Sequence, residues 1–205
     1  MSNKDYLYST IFKLFLSKNY KLVTVADMEK ATGLTRGAIF HYAQDKQSLF
    51  REIVDTYFFQ SKAIDEEMKQ LADEKVKNLS LKDFIHLFVQ LVDKRLQHLE
   101  ELLNLSRPEA ARSYMNFLMQ SQDYYPNFIE RLNELCEKEV AVWETVVTNA
   151  QENGEITPRI DPKIYAHTFG HYFMGFYFQS SFSNKTMDAE TIENYLMSLY
   201  KMIQK

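Results

Sequence analysis

The sequence predicts an all-α chain of about nine helices, and three observations carry that expectation. Hydrophobic residues recur at three- and four-residue spacing along most of its 205 residues. Glycine (5) and proline (4) are too few for the many tight turns of an all-β fold. Residues 38–107 contain neither, which suits helices separated by polar breaks. A hydrophobic share of 45% with 25% charged residues supports a packed core and excludes general disorder.

Three short helices are expected in the first 45 residues. Leu7, Ile11, Leu14 and Phe15 form the stripe of the first. Thr24 is the expected N-cap of a second that runs to about Thr32, with Asp27 in its first turn. Gly33 permits a sharp turn, and Leu34 is its buried residue. Thr35 caps a third helix, from Arg36 to about Tyr42. Met28, Ala31, Leu34 and Ile39 are expected to pin this pair onto the first helix.

Six further helices, mostly longer, follow. Phe50, Val54, Tyr57 and Phe58 begin a stripe continued by Ile64, Met68 and Leu71, up to a break in the polar stretch Ala72 to Ser80. Leu81, Phe84, Ile85, Phe88, Leu91, Val92, Leu96 and Leu99 form the next. Ile129, Leu132, Cys136, Val140, Trp143, Val147 and Ala150 mark another, ended by Asn153-Gly154. Asp161-Pro162 supplies a cap and a first-turn proline for an aromatic helix, 162–182. Thr186 to Asp188 offers caps for a last helix, 188–203, with apolar Ile192, Tyr195, Leu196, Leu199, Met202 and Ile203.

Charge is unevenly placed. Residues 1–50 hold seven Lys/Arg and four Asp/Glu, net +3, while residues 51–205 hold 17 and 24, net -7. A basic head on an acidic body admits phosphate at one end only. The polar start and the absence of an apolar run of roughly 20 residues predict neither leader nor membrane span. The single cysteine, Cys136, fits a reducing cytosol. Cytoplasmic localisation is expected.

Two short helices joined around Gly33 describe a helix-turn-helix, whose second helix enters the DNA major groove. The start of that helix presents free N–H groups for a phosphate. Arg36 is assigned a base edge; Thr24, Tyr42 and Lys46 are assigned phosphates. Thr35 caps the helix, Gly37 and Ala38 allow close approach to the groove, and Phe40 and His41 add apolar and imidazole contacts. No Ser–His–Asp set, glycine-rich phosphate loop or paired-cysteine motif points to catalysis. His167 and His171 lie one turn apart without a matching third ligand, so neither a metal site nor a cofactor is expected.

From Leu14-Phe15 through Thr24-Val25, Gly33-Leu34-Thr35-Arg36-Gly37, Ala38-Ile39-Phe40 and Lys46-Gln47-Ser48-Leu49-Phe50, the chain resembles the DNA-binding domain of the tetracycline-repressor (TetR) family. The resemblance covers about the first 60 residues. It departs at Glu29 and Thr32, where alanine is common, and at Tyr42-Ala43, where the family usually has His-Phe. It implies a homodimeric regulator, usually a repressor, that binds a palindromic operator. Its domains would be a DNA-binding head at 1–46 and a ligand-binding and dimerisation body at 47–205, dimerised through helices 162–182 and 188–203.

In that body, Phe59, Phe88, Tyr114, Phe117, Met119, Tyr125, Phe128, Trp143, Phe173 and Tyr177 are the candidate ligand contacts. Apolar pockets with few polar groups are usual between helices, and so a small hydrophobic effector is expected. The alternatives are an enzyme that uses the helix-turn-helix as scaffold, or a helical protein-interaction adaptor.

Overall fold

The computed structural model describes residues 2–60, 69–71, 73–183 and 188–205. Among them are ten α-helices and no strand beyond an isolated antiparallel bridge between Ile156 and Gln204. Ile64, Met68, Ala72 and Thr186 lie outside the described residues. The chain divides into two compact units, Met1–Ile64 with Arg112–Arg131, and Asp65–Ala111 with Leu132–Lys205.

In the first unit, α1 (Asn3–Ser17) starts from a capping box of Ser2 and Asp5. Its buried face is Leu7, Tyr8, Ile11, Phe12, Phe15 and Leu16, while Leu14 is only half-buried. A 3-10 turn, Tyr20–Leu22, leads to α2 (Val25–Thr32) and α3 (Arg36–Ile39). Met28 and Ile39 are fully buried against this frame; Ala31 is exposed, and Thr32 is buried in its place. The Thr32 hydroxyl donates to the Met28 carbonyl at 2.7 Å and accepts the Leu34 N–H at 3.2 Å, so a polar residue is satisfied where an apolar one was expected.

Helix α4 (Lys46–Val54) is capped by Asp45, whose carboxylate accepts the Ser48 N–H at 2.7 Å. It continues as one π-helical stretch, Asp55–Phe59. Phe15, Phe50 and Phe117 meet in an aromatic core, with Phe15–Phe50 centroids at 4.9 Å and Phe50–Phe117 at 5.7 Å. Phe12 stacks on Tyr57 at 4.2 Å.

The second unit contains α5 (Glu74–Lys77), a single turn within the expected break, and α6 (Leu81–Leu103). No glycine ends α6; Asn104 does so in the left-handed conformation at φ 53°. Next come α7 (Arg107–Tyr124) and α8 (Phe128–Glu152), whose chain passes between the units. The expected apolar stripe of α8 is buried only from Trp143 onward, while Ile129 and Cys136 are exposed. Trp143 is the hub of this unit: Phe169 stacks on it at 4.9 Å, and Phe84 and Phe88 meet it edge-on at 4.7 and 5.1 Å.

Helix α9 (Pro162–Ser181) has Asp161 as cap and proline in its first turn, and α10 (Ala189–Ile203) is capped by Asp188. Ala166, Phe169, Phe173 and Tyr177 face the core from α9. The other side of α9 leaves Ile164, Met174 and Phe178 at least half exposed, as is Met202 on α10.

Candidate nucleic-acid interface and body sites

Local sequence sets the helix-turn-helix. The Thr24 hydroxyl accepts the Asp27 N–H at 3.1 Å, and the Asp27 carboxylate takes both the Thr24 N–H and the Thr24 hydroxyl at 2.8 Å. Lys18 adds an ion pair to Asp27 at 2.8 Å. These partners, Lys18 first, hold the Asp27 carboxyl far below the usual carboxylate range. Thr24, assigned a phosphate, therefore spends its donors on the cap of α2.

Gly33 sits at φ +69°, and a Cβ placed there would meet no heavy atom within 4 Å, so its role is conformational rather than spatial. Beyond it Leu34 is half-buried, not fully buried as expected. Thr35, Arg36 and Gly37 are exposed, and Ala38 is half-buried.

Two expectations for α3 need correction. First, the helix is one turn long and ends at Ile39, with Phe40 as its C-cap. Phe40, His41 and Tyr42 lie in the turns that follow, because the chain must unwind before Asp45 caps α4. His41 is exposed, its ring 5.2 Å from that of Tyr42. Both line a cavity of about 320 Å³ with Asn3, Tyr6, Leu34 and Ala38. Second, two of the N–H groups at the start of α3 already have side-chain acceptors. Glu29 accepts the Arg36 N–H at 2.7 Å, and Thr35 accepts the Ala38 N–H at 3.4 Å.

Lys46 is half-buried, its Nζ 4.2 Å above the Tyr20 ring. Burial lowers the pKa of its ammonium, partly offset by Asp27. Gln120, buried on α7, accepts the Tyr20 N–H at 2.5 Å and donates to the Phe15 carbonyl at 3.1 Å. Neither Glu29 nor Gln120 is among the contacts expected from sequence; the only signal is that Glu29 departs from the family's usual alanine.

The candidate ligand residues separate into groups. Phe117 is plain core, fully buried among Phe12 and Phe50. Met119 is exposed and lines a cavity of about 450 Å³ with Lys18, Asn19, Gln120 and Asp123, among others. Phe59, Tyr125 and Phe128 come together, with Tyr114 nearby through Phe58. Asp55 and Arg131, which are not among the expected ligand contacts, join this group. The Arg131 guanidinium lies 4.1 Å from the Phe59 centroid, and Asp55 accepts hydrogen bonds from Arg131 at 2.6 Å and the Tyr125 hydroxyl at 2.7 Å.

In the second unit, Phe88, Trp143, Phe173 and Tyr177 form a separate cluster, with Phe88–Phe173 at 5.3 Å and Phe173–Tyr177 at 6.3 Å. The Trp143 indole N–H is buried with no acceptor among the described residues. Burial pushes the Tyr177 phenol up to about 12, eased by Arg95. His167 and His171 have rings 5.5 Å apart, and no group of three metal-ligating side chains occurs among the described residues.

Residues 7–53 match the family model described as "Bacterial regulatory proteins, tetR family". A comparison with curated proteins gives no match. Among solved structures, the chain resembles a transcriptional regulator from Saccharomonospora viridis in complex with choline: 13% identity, 98% of this chain and 97% of that one, TM-score 0.73. It also resembles SmeT in complex with triclosan: 15% identity, 100% and 93% coverage, TM-score 0.68. A third is NalD, the secondary repressor of the MexAB-OprM multidrug efflux pump in Pseudomonas aeruginosa: 16% identity, 99% and 96% coverage, TM-score 0.60. At these identities the likeness is one of fold. The family's DNA-binding model is thus matched at the helix-turn-helix, over residues 7–53, and the chain shares the fold of these solved regulators over its whole length.

Proposed function

We propose that the protein is a repressor that binds a palindromic operator as a homodimer and is released by a small hydrophobic effector. Residues 1–46 act as the DNA-binding head and 47–205 as the ligand-binding and dimerisation body. The observation that carries this reading is the exposure of Thr35, Arg36 and Gly37 on a short helix held out by the left-handed Gly33. Arg36 reads a base edge. Thr24, Tyr42 and Lys46 approach phosphates, and Gly37, Ala38, Phe40 and His41 lie against the groove. For Thr24 and Lys46 this requires exchange of their present partners, Asp27 and the Tyr20 ring.

Dimerisation is supported by the outer face of α9 and α10. Ile164 is 61% exposed, Phe178 51% and Met202 78%, large apolar side chains that a partner surface would take out of water. Tyr172 and Phe176 of α9 touch Tyr195 of α10, so the two helices offer one surface. A second copy covers it isologously, each face serving both partners.

The effector reading is supported by the aromatic clusters and by the Trp143 N–H that awaits an acceptor. NalD is a repressor, and SmeT was solved with triclosan, an observation about those proteins that fits the same scheme here. An effector that favours the dimer geometry unable to span two half-sites weakens operator binding. A coupling of about 1–3 kcal/mol changes affinity 5–150-fold. Among the described residues no helix is long and apolar enough to cross a membrane; we place the protein in the cytoplasm, with its operator.

The test is a mobility shift with the DNA upstream of its own gene at two salt concentrations. Sequence-specific, salt-sensitive retention is expected. Absence of specific retention, together with turnover in a substrate screen or capture of a protein partner, favours the enzyme or the adaptor.

A further inference from the structure

We propose that the aromatic cluster at the end of α4 and the start of α8 binds an organic cation, with Asp55 as counter-charge and Arg131 as a resident stand-in that the ligand displaces. This rests on the reading of the body as an effector-binding domain and narrows its hydrophobic effector to one that also carries an ammonium or guanidinium group.

Three rings cluster at tilted and edge-on angles: Phe59–Tyr125 at 5.3 Å, Phe59–Phe128 at 5.4 Å and Tyr125–Phe128 at 6.2 Å. The Arg131 guanidinium stands 4.1 Å from the Phe59 centroid and 5.4 Å from that of Tyr125, both within cation–π range. The Tyr125 hydroxyl and Arg131 both donate to the same oxygen of Asp55, at 2.7 and 2.6 Å. Aromatic faces around a cation, closed by a carboxylate, are the recognition set for quaternary ammonium and guanidinium groups. Here the chain fills that set with its own arginine.

Exchange is open to solvent, because the Arg131 and Asp55 side chains keep 34% and 30% exposure. The backbone that presents Asp55 and Phe59 is π-helical, an arrangement that recurs at functional sites. A neutral occupant is disfavoured. Burial already works against the charge of Asp55, and Arg131 offsets it only in part; an occupant that removed Arg131 without replacing its charge would leave a half-buried carboxylate unpaired.

The exchange also reaches α4. Asp55 follows the last residue of α4, and α4 begins at Lys46, directly after the turns that follow α3. Breaking the Asp55–Arg131 pair frees the end of that segment from the first turn of α8.

The test uses the full-length protein, phenyltrimethylammonium as probe and its neutral isostere tert-butylbenzene as control, by titration calorimetry. Removing the resident cation lifts the competition for the site. Arg131→Gln is therefore expected to bind the ammonium at least tenfold more tightly than wild type, with no such gain for the neutral probe. Asp55→Asn in the Arg131→Gln background is expected to lose that gain. Phe59→Leu, which keeps the ion pair, is expected to weaken ammonium binding several-fold in the otherwise wild-type protein. Equal ammonium affinity in wild type and a folded Arg131→Gln, or equal gain for both probes, overturns the proposal. If Arg131→Gln does not fold, unchanged affinity in Phe59→Leu overturns it. A mobility shift on the same preparations without probe separates the two readings: intact operator binding with failed ammonium binding rejects the cation site alone.

Discussion

The Glu29 carboxylate accepts a hydrogen bond from the backbone N–H of Arg36 at 2.7 Å, tying the last turns of α2 to the first residue of α3. A hydrogen bond to a charged acceptor contributes about 1.5–3 kcal/mol when well shielded, and less at this exposed site. It also places a negative charge beside the residue assigned to a base edge. Glu29→Ala is expected to lower thermal stability modestly and to raise affinity for random duplex several-fold at low salt. Thermal unfolding and anisotropy titration of non-operator DNA check both.

Gly33 has room for a side chain but not the backbone for one. A left-handed conformation costs most L-residues roughly 1–2 kcal/mol. Gly33→Ala is expected to lose stability by about that amount, and Gly33→Asn by less, because asparagine tolerates this region better. Chemical denaturation of the three proteins gives the comparison.

Acid is expected to weaken the helix-turn-helix region. Asp27 and Asp45 complete the capping boxes of α2 and α4, and their hydrogen-bond partners lower both pKa values. A lowered folded-state pKa contributes stability that is complete above the unfolded value, about 3.9, and is lost as pH falls below it. The melting temperature is expected to hold between pH 7 and about pH 5 and to drop below about pH 4, less so in Asp27→Asn. A melting series by circular dichroism measures it.

The outer face of α9 and α10 predicts the oligomeric state. Phe178 is 51% exposed and contributes little to the core of its own chain. Phe178→Glu is expected to convert dimer to monomer in light scattering while leaving helix content unchanged. Phe173→Glu, at a buried position, is expected to disrupt folding instead.

The parts most legible in the sequence are those with local causes. Thr24, Asp27, Gly33 and Thr35 set the caps and turn of the helix-turn-helix because each acts within four residues of itself. Asp161 with Pro162 does the same for α9. Less legible is whatever depends on tertiary partners. Asn104 ends α6 in the left-handed conformation without a glycine to announce it. The early part of the α8 stripe repeats at helical spacing, yet Ile129 and Cys136 face solvent. Glu29 reaches the start of α3 across a turn, and Asp55 meets Arg131 across 76 residues, a pairing no spacing rule reveals.

In the proposed dimer, two copies of Arg36 and its short helix are twinned to read one operator. Footprinting on the upstream DNA tests it most directly, with wild type beside Arg36→Ala. The expected result is paired protected half-sites about one helical turn apart, roughly 34–36 Å, with Arg36→Ala losing about 1–3 kcal/mol and its preference at one base pair in each half-site. Protection of a single unpaired half-site, or an Arg36→Ala footprint identical to wild type, would contradict it.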